Sequence, residues 1–333
     1  MNLKKIVLII NLFVMMVLCN SNVFADKIIM KWSYDVPQGS SLAVMPETAA
    51  KLISEDKALS EKLEVKLYPA RQLYKAKDAL QAVMRGDIQA ALIGSWYLIS
   101  LNPYLAVSDL PFLFDDLSAY QKAMDGDLGE IAYLPLEKHG IKVLGGTAFG
   151  AYSVLNNDHE VLLPKDVEGM KIRSMGLSSL IWKELGAIPT SLPAGDIYMS
   201  LKRNIIHAAD ISIVSVVDRK LYEVANHYTQ AMIHGPMIIS IVNSDWLNSL
   251  PEDIKEGIVK YVKKAKDEHV NLTQESMVNY LETAKDNGVI IHHLTDNEKE
   301  KWRNATKSAI KEIQKKENIN LDQLIEIASK YNK

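Results

Sequence analysis

Arg173 is the residue of this sequence with the clearest potential for binding chemistry. It ends the alternating apolar run of residues 170–173 and comes just before a serine and a predicted helix. A guanidinium is always charged and presents its N–H donors in a planar fork, which suits an anion. The position alone leaves two interpretations open: a solvated strand end, or a fixed cation for an anionic ligand.

Motifs typical of catalysis or metal binding are absent from the sequence. It contains no Gly-x-Ser-x-Gly elbow, no glycine-rich phosphate loop and no His-Glu-x-x-His motif. The histidines lack a metal-ligand spacing, and the adjacent pair His292 and His293 would point to opposite faces of a strand. We therefore expect no metal, no cofactor and no enzymatic activity. An enzyme that uses Asp210 and Arg173 as an acid–base pair is the less favoured alternative.

The first 25 residues have the features of a secretory signal peptide. Two lysines precede an apolar run over residues 6–19, which is too short to span a bilayer, and small and polar residues follow. We expect cleavage after Ala25 and a periplasmic protein that does not span the membrane. Acylation of Cys19, the single cysteine, is disfavoured because Leu18 stands where a small residue would be expected. A net charge of −3 does not indicate a nucleic-acid partner.

Strand-like and helix-like segments alternate along the chain, which predicts an α/β fold. The alternation occurs in two blocks, and the predicted elements are residues 28–34, 41–54, 63–68, 75–84 and 88–93, then 170–173, 177–185, 188–192, 195–202 and 206–211. Residues 85–93 (RGDIQAALI) and 203–211 (RNIIHAADI) share Arg, Ile, Ala, Ala and Ile in register. Gly86 and Asn204 can each take the left-handed cap that ends a helix. The repeat predicts two similar lobes.

Ligands of open α/β sheets lie beyond the carboxyl ends of the strands, so the residues after the repeated strands should face a cleft between the lobes. Arg173 belongs to the same set as the end of its own strand. The other residues of this set are Gly94, Ser95, Trp96 and Tyr97 in one lobe and Asp210, Ile211 and Ser212 in the other.

The C-terminal third has a different character. A helical pattern runs over residues 251–285, roughly 50 Å long, so we expect it to span both lobes. A strand is predicted over residues 289–292, and a further helix from Asp296 to just before Asn318. The lysine-rich face of residues 255–266 is interspersed with acids and is expected to be solvated. Trp182 lies on an apolar helix face and is expected in the core.

Several segments together resemble the extracytoplasmic solute receptors of tripartite ATP-independent periplasmic (TRAP) transporters, of the C4-dicarboxylate-binding type. The resemblance covers essentially the whole mature chain, and it is clearest in YPARQL (68–73), DLPFLF (109–114), LPKDVEGMKIR (163–173) and GAIPT (186–190). It implies a two-lobed periplasmic binding protein fold, type II-like, with crossing strands, a bracing long helix and hinge closure. The expected first lobe comprises residues 26–150 and about 237–275, and the second comprises 151–236 and about 276–333.

By this resemblance, Arg173 matches the arginine that binds the ligand's carboxylate. The family commonly has Glu-Asn-Pro where this chain has Asp210, Ile211 and Ser212, and many relatives have a second arginine where Ser153 stands. These departures imply a less polar cavity that binds one carboxylate firmly. Trp96, Tyr97, Phe149 and Tyr152 are candidate apolar walls, although core packing is equally compatible with each of them. Arg71 could supply a compensating charge or lie on the exposed surface.

The function implied by the resemblance is capture of an organic acid and its delivery to TRAP membrane permease subunits, coupled to sodium or protons. The ligand would be more apolar than the usual C4-dicarboxylates. A receptor that presents its closed form to a membrane sensor is the main alternative, because both roles need export, a cleft and a hinge.

Overall fold

The structure is a computed structural model that describes residues 26–332. The predicted signal peptide and its cleavage after Ala25 lie outside the described residues. No helix within the described part of the chain is both long enough and apolar enough to cross a membrane.

Two mixed sheets form the frame of the molecule. The strands within residues 26–332 are β1 (Ile28–Tyr34), β2 (Leu63–Tyr68), β3 (Ala90–Gly94), β4 (Ile141–Ala148), β5 (Tyr152–Asn156), β6 (Lys171–Arg173), β7 (Ile188–Thr190), β8 (Ala208–Ser212), β9 (His227–His234), β10 (Met237–Asn243) and β11 (Ile290–His293). The first sheet has the order β2-β1-β3-β10-β4 and the second has the order β11-β9-β5-β8-β6-β7. We call each sheet, with the helices on it, the first and the second lobe.

Helices cover both sheets, which confirms the predicted α/β class. Over the same residues the α-helices are α1 (Val44–Glu55), α2 (Lys57–Ser60), α3 (Ala76–Arg85), α4 (Leu117–Asp125), α5 (Asp127–Tyr133), α6 (Ser178–Glu184), α7 (Ile197–Lys202), α8 (Ile213–Asp218), α9 (Ser244–Ser249), α10 (Glu252–Asp286), α11 (Asp296–Glu317) and α12 (Asp322–Ser329). Most bounds lie within two residues of the predicted ones, because the periodic apolar pattern is clear in these segments.

The strand–helix–strand unit predicted from the repeat is present in both lobes. Gly86, with φ of 80°, ends α3, and Asn204, with φ of 53°, follows α7, so both left-handed caps are confirmed. The strands that come next, β3 and β8, are buried along their whole length. Their small alanines let the sheet pack closely under its helices. The repeated strands β3 and β8 therefore end at equivalent positions in the two lobes.

Two short segments, which lie next to each other, connect the two lobes. The chain passes from β4 to β5 through residues 149–151, and it returns from β9 to β10 through residues 235–236. β4 pairs with β10 in the first sheet, and β5 pairs with β9 in the second. The crossing strands implied by the resemblance are therefore confirmed, and a hinge between the lobes would lie here.

Helix α10 braces both lobes, as expected. It has 35 residues, which gives a length of roughly 50 Å. It packs on α1 and β4 in the first lobe and on α8 in the second. Its lysine-rich face is mostly exposed, but the expectation is wrong for Lys266, which is buried and pairs with Asp125 at 2.8 Å and with Asp267 at 2.7 Å. The ion pairs allow this lysine to lie against the first lobe.

The C-terminal segment returns to the first lobe, which differs from the expected boundary. Helix α11 packs on α6 through Trp302 and the fully buried Trp182, whose rings are 6.4 Å apart, so the core position of Trp182 is confirmed. Asn318 then ends α11 in a left-handed conformation. Helix α12 packs on α4 and α5, where its apolar face, including Leu324, joins the first lobe's hydrophobic cluster. Helix α12 therefore packs with the first lobe.

Candidate functional site

A cavity of about 420 Å³ lies between the lobes. It opens at the carboxyl ends of β1, β3, β6, β7 and β8, which is where ligands of α/β sheets bind. Its wall includes Asp35, Leu42, Arg71, Trp96, Tyr97, Phe149, Tyr152, Arg173, Gly195, Ile211 and Arg219.

Arg173 ends β6 at the wall of this cavity, with only 4% of its surface exposed. Its Nε donates a hydrogen bond to the carbonyl oxygen of Leu192 at 3.1 Å, and its Nη1 donates to that of Asp210 at 3.2 Å. Within residues 26–332, carboxylates pair with other arginines but not with this one. Two main-chain carbonyls thus hold a buried cation that lacks a counter-ion. Such a cation is costly unless an anion pairs with it.

A buried charge cluster lies behind Arg173 and includes residues from both lobes. His234, at the end of β9, has its Nε2 at 2.9 Å from Asp210 Oδ2 and its Nδ1 at 3.8 Å from Asp109 Oδ1. Burial raises the pKa of Asp109 to about 6, although the positive charge of His234 opposes the shift. Burial lowers the pKa of His234, but the hydrogen-bonded carboxylate of Asp210 and the charge of Asp109 together outweigh it, so the net pKa is raised. The cluster therefore binds protons more readily than its separate groups would.

Asp210 was expected at the ligand, but its main-chain carbonyl and its side-chain carboxylate have different partners. Its carbonyl oxygen accepts from Arg173, whereas its carboxylate turns to His234 and is not part of the cavity wall. The acid–base pair considered for an enzyme is therefore not formed. Sequence reasoning missed His234 and Asp109, and the signal that could have found Asp109 was its place at the start of the DLPFLF segment.

The four aromatic residues expected at the walls all line the cavity. The rings of Trp96 and Tyr97 are 5.6 Å apart, and those of Phe149 and Tyr152 meet edge to face at 5.7 Å. Burial raises the pKa of Tyr152 to about 12, so its hydroxyl stays neutral. Trp96 folds back over Gly94, where an added Cβ would lie 2.3 Å from its ring atoms. Glycine at this position is what allows the indole to cover the end of β3.

Of three further residues expected at the cleft, one lines the cavity and two do not. Ile211 lines the cavity. Ser153 does not, because its hydroxyl donates to the carbonyl oxygen of Thr229 inside the sheet, next to an irregularity in the pairing of β5 with β9. Ser95 is also outside the wall. Its Oγ accepts from the main-chain nitrogen of Met237 at 3.2 Å, so it ties the end of β3 to β10.

Two further arginines line the cavity, one from each lobe. Arg71 has φ of 63° and its Nε lies 3.3 Å from Asp35 Oδ2, and the side chain is half exposed. Burial raises the pKa of Asp35, and the charge of Arg71 opposes this. Arg219 directly follows α8 and was missed by the sequence analysis, because no motif marks its position. Burial lowers its pKa.

The histidines outside the charge cluster form no metal site. His227 Nδ1 and His292 Nε2 are 3.0 Å apart in stacked rings, and His292 Nδ1 lies 2.9 Å from Glu160. Among residues 26–332, no group of three or more metal-binding side chains has a geometry that could hold a metal ion.

Comparison with known proteins identifies the family of this chain. The family model DctP, described as bacterial extracellular solute-binding protein, family 7, matches residues 35–317. The chain belongs to the DctP family. The resemblance inferred from its motifs is therefore confirmed, and this DctP-family protein is a solute-binding receptor.

Relatives of this DctP-family protein match over most of their length. It is 27% identical over 290 residues to the C4-dicarboxylate-binding periplasmic protein DctP of Rhodobacter capsulatus, covering 84% of each chain. It is 25% identical to the 2,3-diketo-L-gulonate-binding periplasmic protein YiaO of Escherichia coli, covering 85% of this chain and 86% of that one. A TRAP periplasmic solute-binding protein from Shewanella oneidensis, solved with bound succinate, superposes with a TM-score of 0.84 at 22% identity. That match covers 92% of this chain and 100% of the other, and it shows the shared two-lobed fold.

Proposed function

We propose that this DctP-family protein captures an organic acid in the cavity between its lobes, with one carboxylate bound to Arg173, and delivers it to a TRAP-type membrane permease. The observation that carries the proposal is the buried guanidinium, which two carbonyls position and no carboxylate neutralises. A planar guanidinium can donate two parallel N–H bonds to the two oxygens of a carboxylate. The acids named for the R. capsulatus and S. oneidensis proteins support this ligand class.

The rest of the ligand would meet mainly apolar walls. Phe149, Tyr152 and Trp96 contribute aromatic faces, and Ile211 stands where the family commonly has an asparagine. Apolar walls with a few fixed polar groups are typical of small-ligand sites. We propose that the ligand carries more apolar surface than the C4-dicarboxylates.

Removal of Arg173 tests the anchor. We expect Arg173→Ala to lower the affinity for the bound acid by about 3–5 kcal/mol, or roughly 150- to 5000-fold, because the carboxylate would remain buried without its partner. Arg203→Ala is the matched control, since this arginine is exposed in the same lobe. Thermal-shift screening of organic acids, followed by calorimetric dissociation constants, measures the effect. An acid that binds wild type and Arg173→Ala equally well would refute the anchor role.

The purified protein with its bound acid also distinguishes a transport receptor from an enzyme. We propose that the acid is released chemically unchanged, and NMR of the ligand after long incubation with the protein checks this.

We also propose export with cleavage after Ala25, which fixes the mass of the mature protein. An intact mass that includes a lipid on Cys19 would contradict that cleavage site.

A further inference from the structure

Arg219 brings a second unpaired guanidinium to the cavity. It follows the last residue of α8 and lines the wall together with Ser215 of the same helix. Within residues 26–332 the ion pairs of arginine side chains involve Arg71, Arg85 and Arg303, and none involves Arg219. The carboxylate next to it in sequence, Asp218, accepts instead from Ser41 Oγ at 2.7 Å.

The electrostatic surroundings of Arg219 favour an added anion. Burial and the positive charges of Arg173 and Arg71 act against its own charge, while Tyr152 and Asp218 act in its favour. A partly buried cation without a counter-ion is unfavourable, and a ligand that supplies the missing charge relieves this. A ligand anion can pair with Arg219 without displacing another side chain from it.

The charges of the cavity wall indicate how many anionic groups a ligand should carry. Three guanidinium groups line the wall, from Arg71, Arg173 and Arg219, and one carboxylate, that of Asp35, lines it as well. Asp35 pairs with Arg71. Two positive charges, both on the second lobe, are left for the ligand.

We propose that Arg219 is a second carboxylate anchor and that the ligand is a dicarboxylate with an apolar middle, bound at one end by Arg173 and at the other by Arg219. This rests on the proposed function, because it assumes that Arg173 binds the first carboxylate. Arg219 would replace the second cation that the resemblance placed at position 153, where this chain has a buried serine. Both charged ends would dock on the second lobe.

The arrangement assigns different tasks to the two lobes. The first lobe offers Trp96, Tyr97 and Leu42, with its one cavity arginine already neutralised. It would therefore close over the apolar middle of a ligand that the second lobe holds by its charges. The bond between Ser41 and Asp218 joins the lobes beside Arg219, so the second anchor lies next to a contact between them.

Matched pairs of acids separate the two anchors. The probes are straight-chain α,ω-dicarboxylates of four to eight carbons and the monocarboxylates of the same lengths. Their dissociation constants are measured by calorimetry with wild type, Arg219→Gln, Arg173→Gln and, as a control at an exposed position of the same lobe, Arg203→Gln. We expect Arg219→Gln to weaken dicarboxylates about 10- to 100-fold and monocarboxylates less than about 3-fold, as for the loss of one charged hydrogen-bonding group. Arg173→Gln should weaken both classes, and Arg219→Lys should restore part of the preference for dicarboxylates.

Each outcome bears on a different claim. Equal weakening of both acid classes by Arg219→Gln, or no weakening of either, would overturn the second anchor while leaving Arg173-dependent binding intact. Wild type that binds none of these acids would overturn the dicarboxylate with an apolar middle, whereas binding that survives Arg173→Gln would overturn the proposed function as well. Circular dichroism of unliganded Arg219→Gln should show a melting temperature no lower than that of wild type, because the substitution removes an uncompensated charge and no ion pair of the fold.

Discussion

The charge cluster behind the cavity should contribute less to the free energy of unfolding as pH rises from 5 to 7.5, and Asp109→Asn should remove part of that contribution. Asp109 is 2% exposed, and burial raises its pKa to about 6 from 3.8. Its neighbours in the cluster are His234, Asp210, the hydroxyl of Ser108 and the main-chain N–H of Leu177. Because the folded protein binds this proton more tightly than the unfolded chain does, protonation stabilises the fold.

The size of the effect follows from the difference between the two pKa values. The shift from 3.8 to about 6 corresponds to about 3 kcal/mol over the full titration, at about 1.4 kcal/mol per pKa unit. The stabilisation is fully present below pH 3.8 and is lost as pH rises through 6. At pH 5, one unit below the folded pKa, it amounts to about 1.4 kcal/mol relative to pH 7.5. His234 acts in the same direction, since its raised pKa stabilises the fold below 6.5 and this contribution is lost as pH rises through its folded pKa.

Urea unfolding at several pH values between 5 and 7.5 measures this difference. We expect the free energy of unfolding of wild type, relative to Asp109→Asn, to rise by about 1.4 kcal/mol on going from pH 7.5 to 5. Asp286→Asn, at an exposed acid near the end of α10, is the control and should show no such change. Coincident fluorescence and circular dichroism transitions establish the two-state behaviour that the comparison needs. A pH-independent difference, or one of opposite sign, would refute the raised pKa of Asp109.

Three further substitutions test the cavity and its closure. Gly94→Ala would put a Cβ 2.3 Å from the cavity indole, so we expect about 1–3 kcal/mol of destabilisation and weaker ligand binding. Gly195→Ala, whose added Cβ would have no atom within 4 Å, is the control for stability and should leave the free energy of unfolding unchanged. Ser41→Ala removes the 2.7 Å bond to Asp218 between the lobes, and calorimetry should show roughly 2- to 12-fold weaker binding with little change in melting temperature. Ile211→Asn should weaken binding of an apolar acid, and unchanged or tighter binding would contradict the apolar wall.

Local patterns were enough to predict the elements, but not the direction of every side chain. The repeated segments predicted β3 and β8 and their helix caps, because period and capping are local properties. Ser153 and Ile211 are opposite each other in register, yet only Ile211 lines the cavity. The pairing of β5 with β9 is irregular just after Tyr152, and no residue type in the sequence marks this irregularity.

The charged groups behind Arg173 could not be predicted for a different reason. Asp109 and His234 are 125 positions apart in the sequence and meet only because the chain crosses between the lobes before and after β9. Arg219 likewise reaches the wall only through the position of α8 against the cavity. Arg173 could be singled out because both a motif and a strand end mark it, whereas its partners depend on contacts between distant segments.

The contact between Asp210 and His234 explains why Arg173 is free for a ligand. A buried aspartate beside a buried arginine would ordinarily form an ion pair with it, and a ligand carboxylate would then have to displace an internal partner. Here the carboxylate of Asp210 is bound by His234, and only its neutral carbonyl oxygen touches the guanidinium. The arginine is therefore held in place by dipoles that do not neutralise its charge. A carboxylate entering the cavity gains the attraction of the cation without the cost of breaking an existing ion pair.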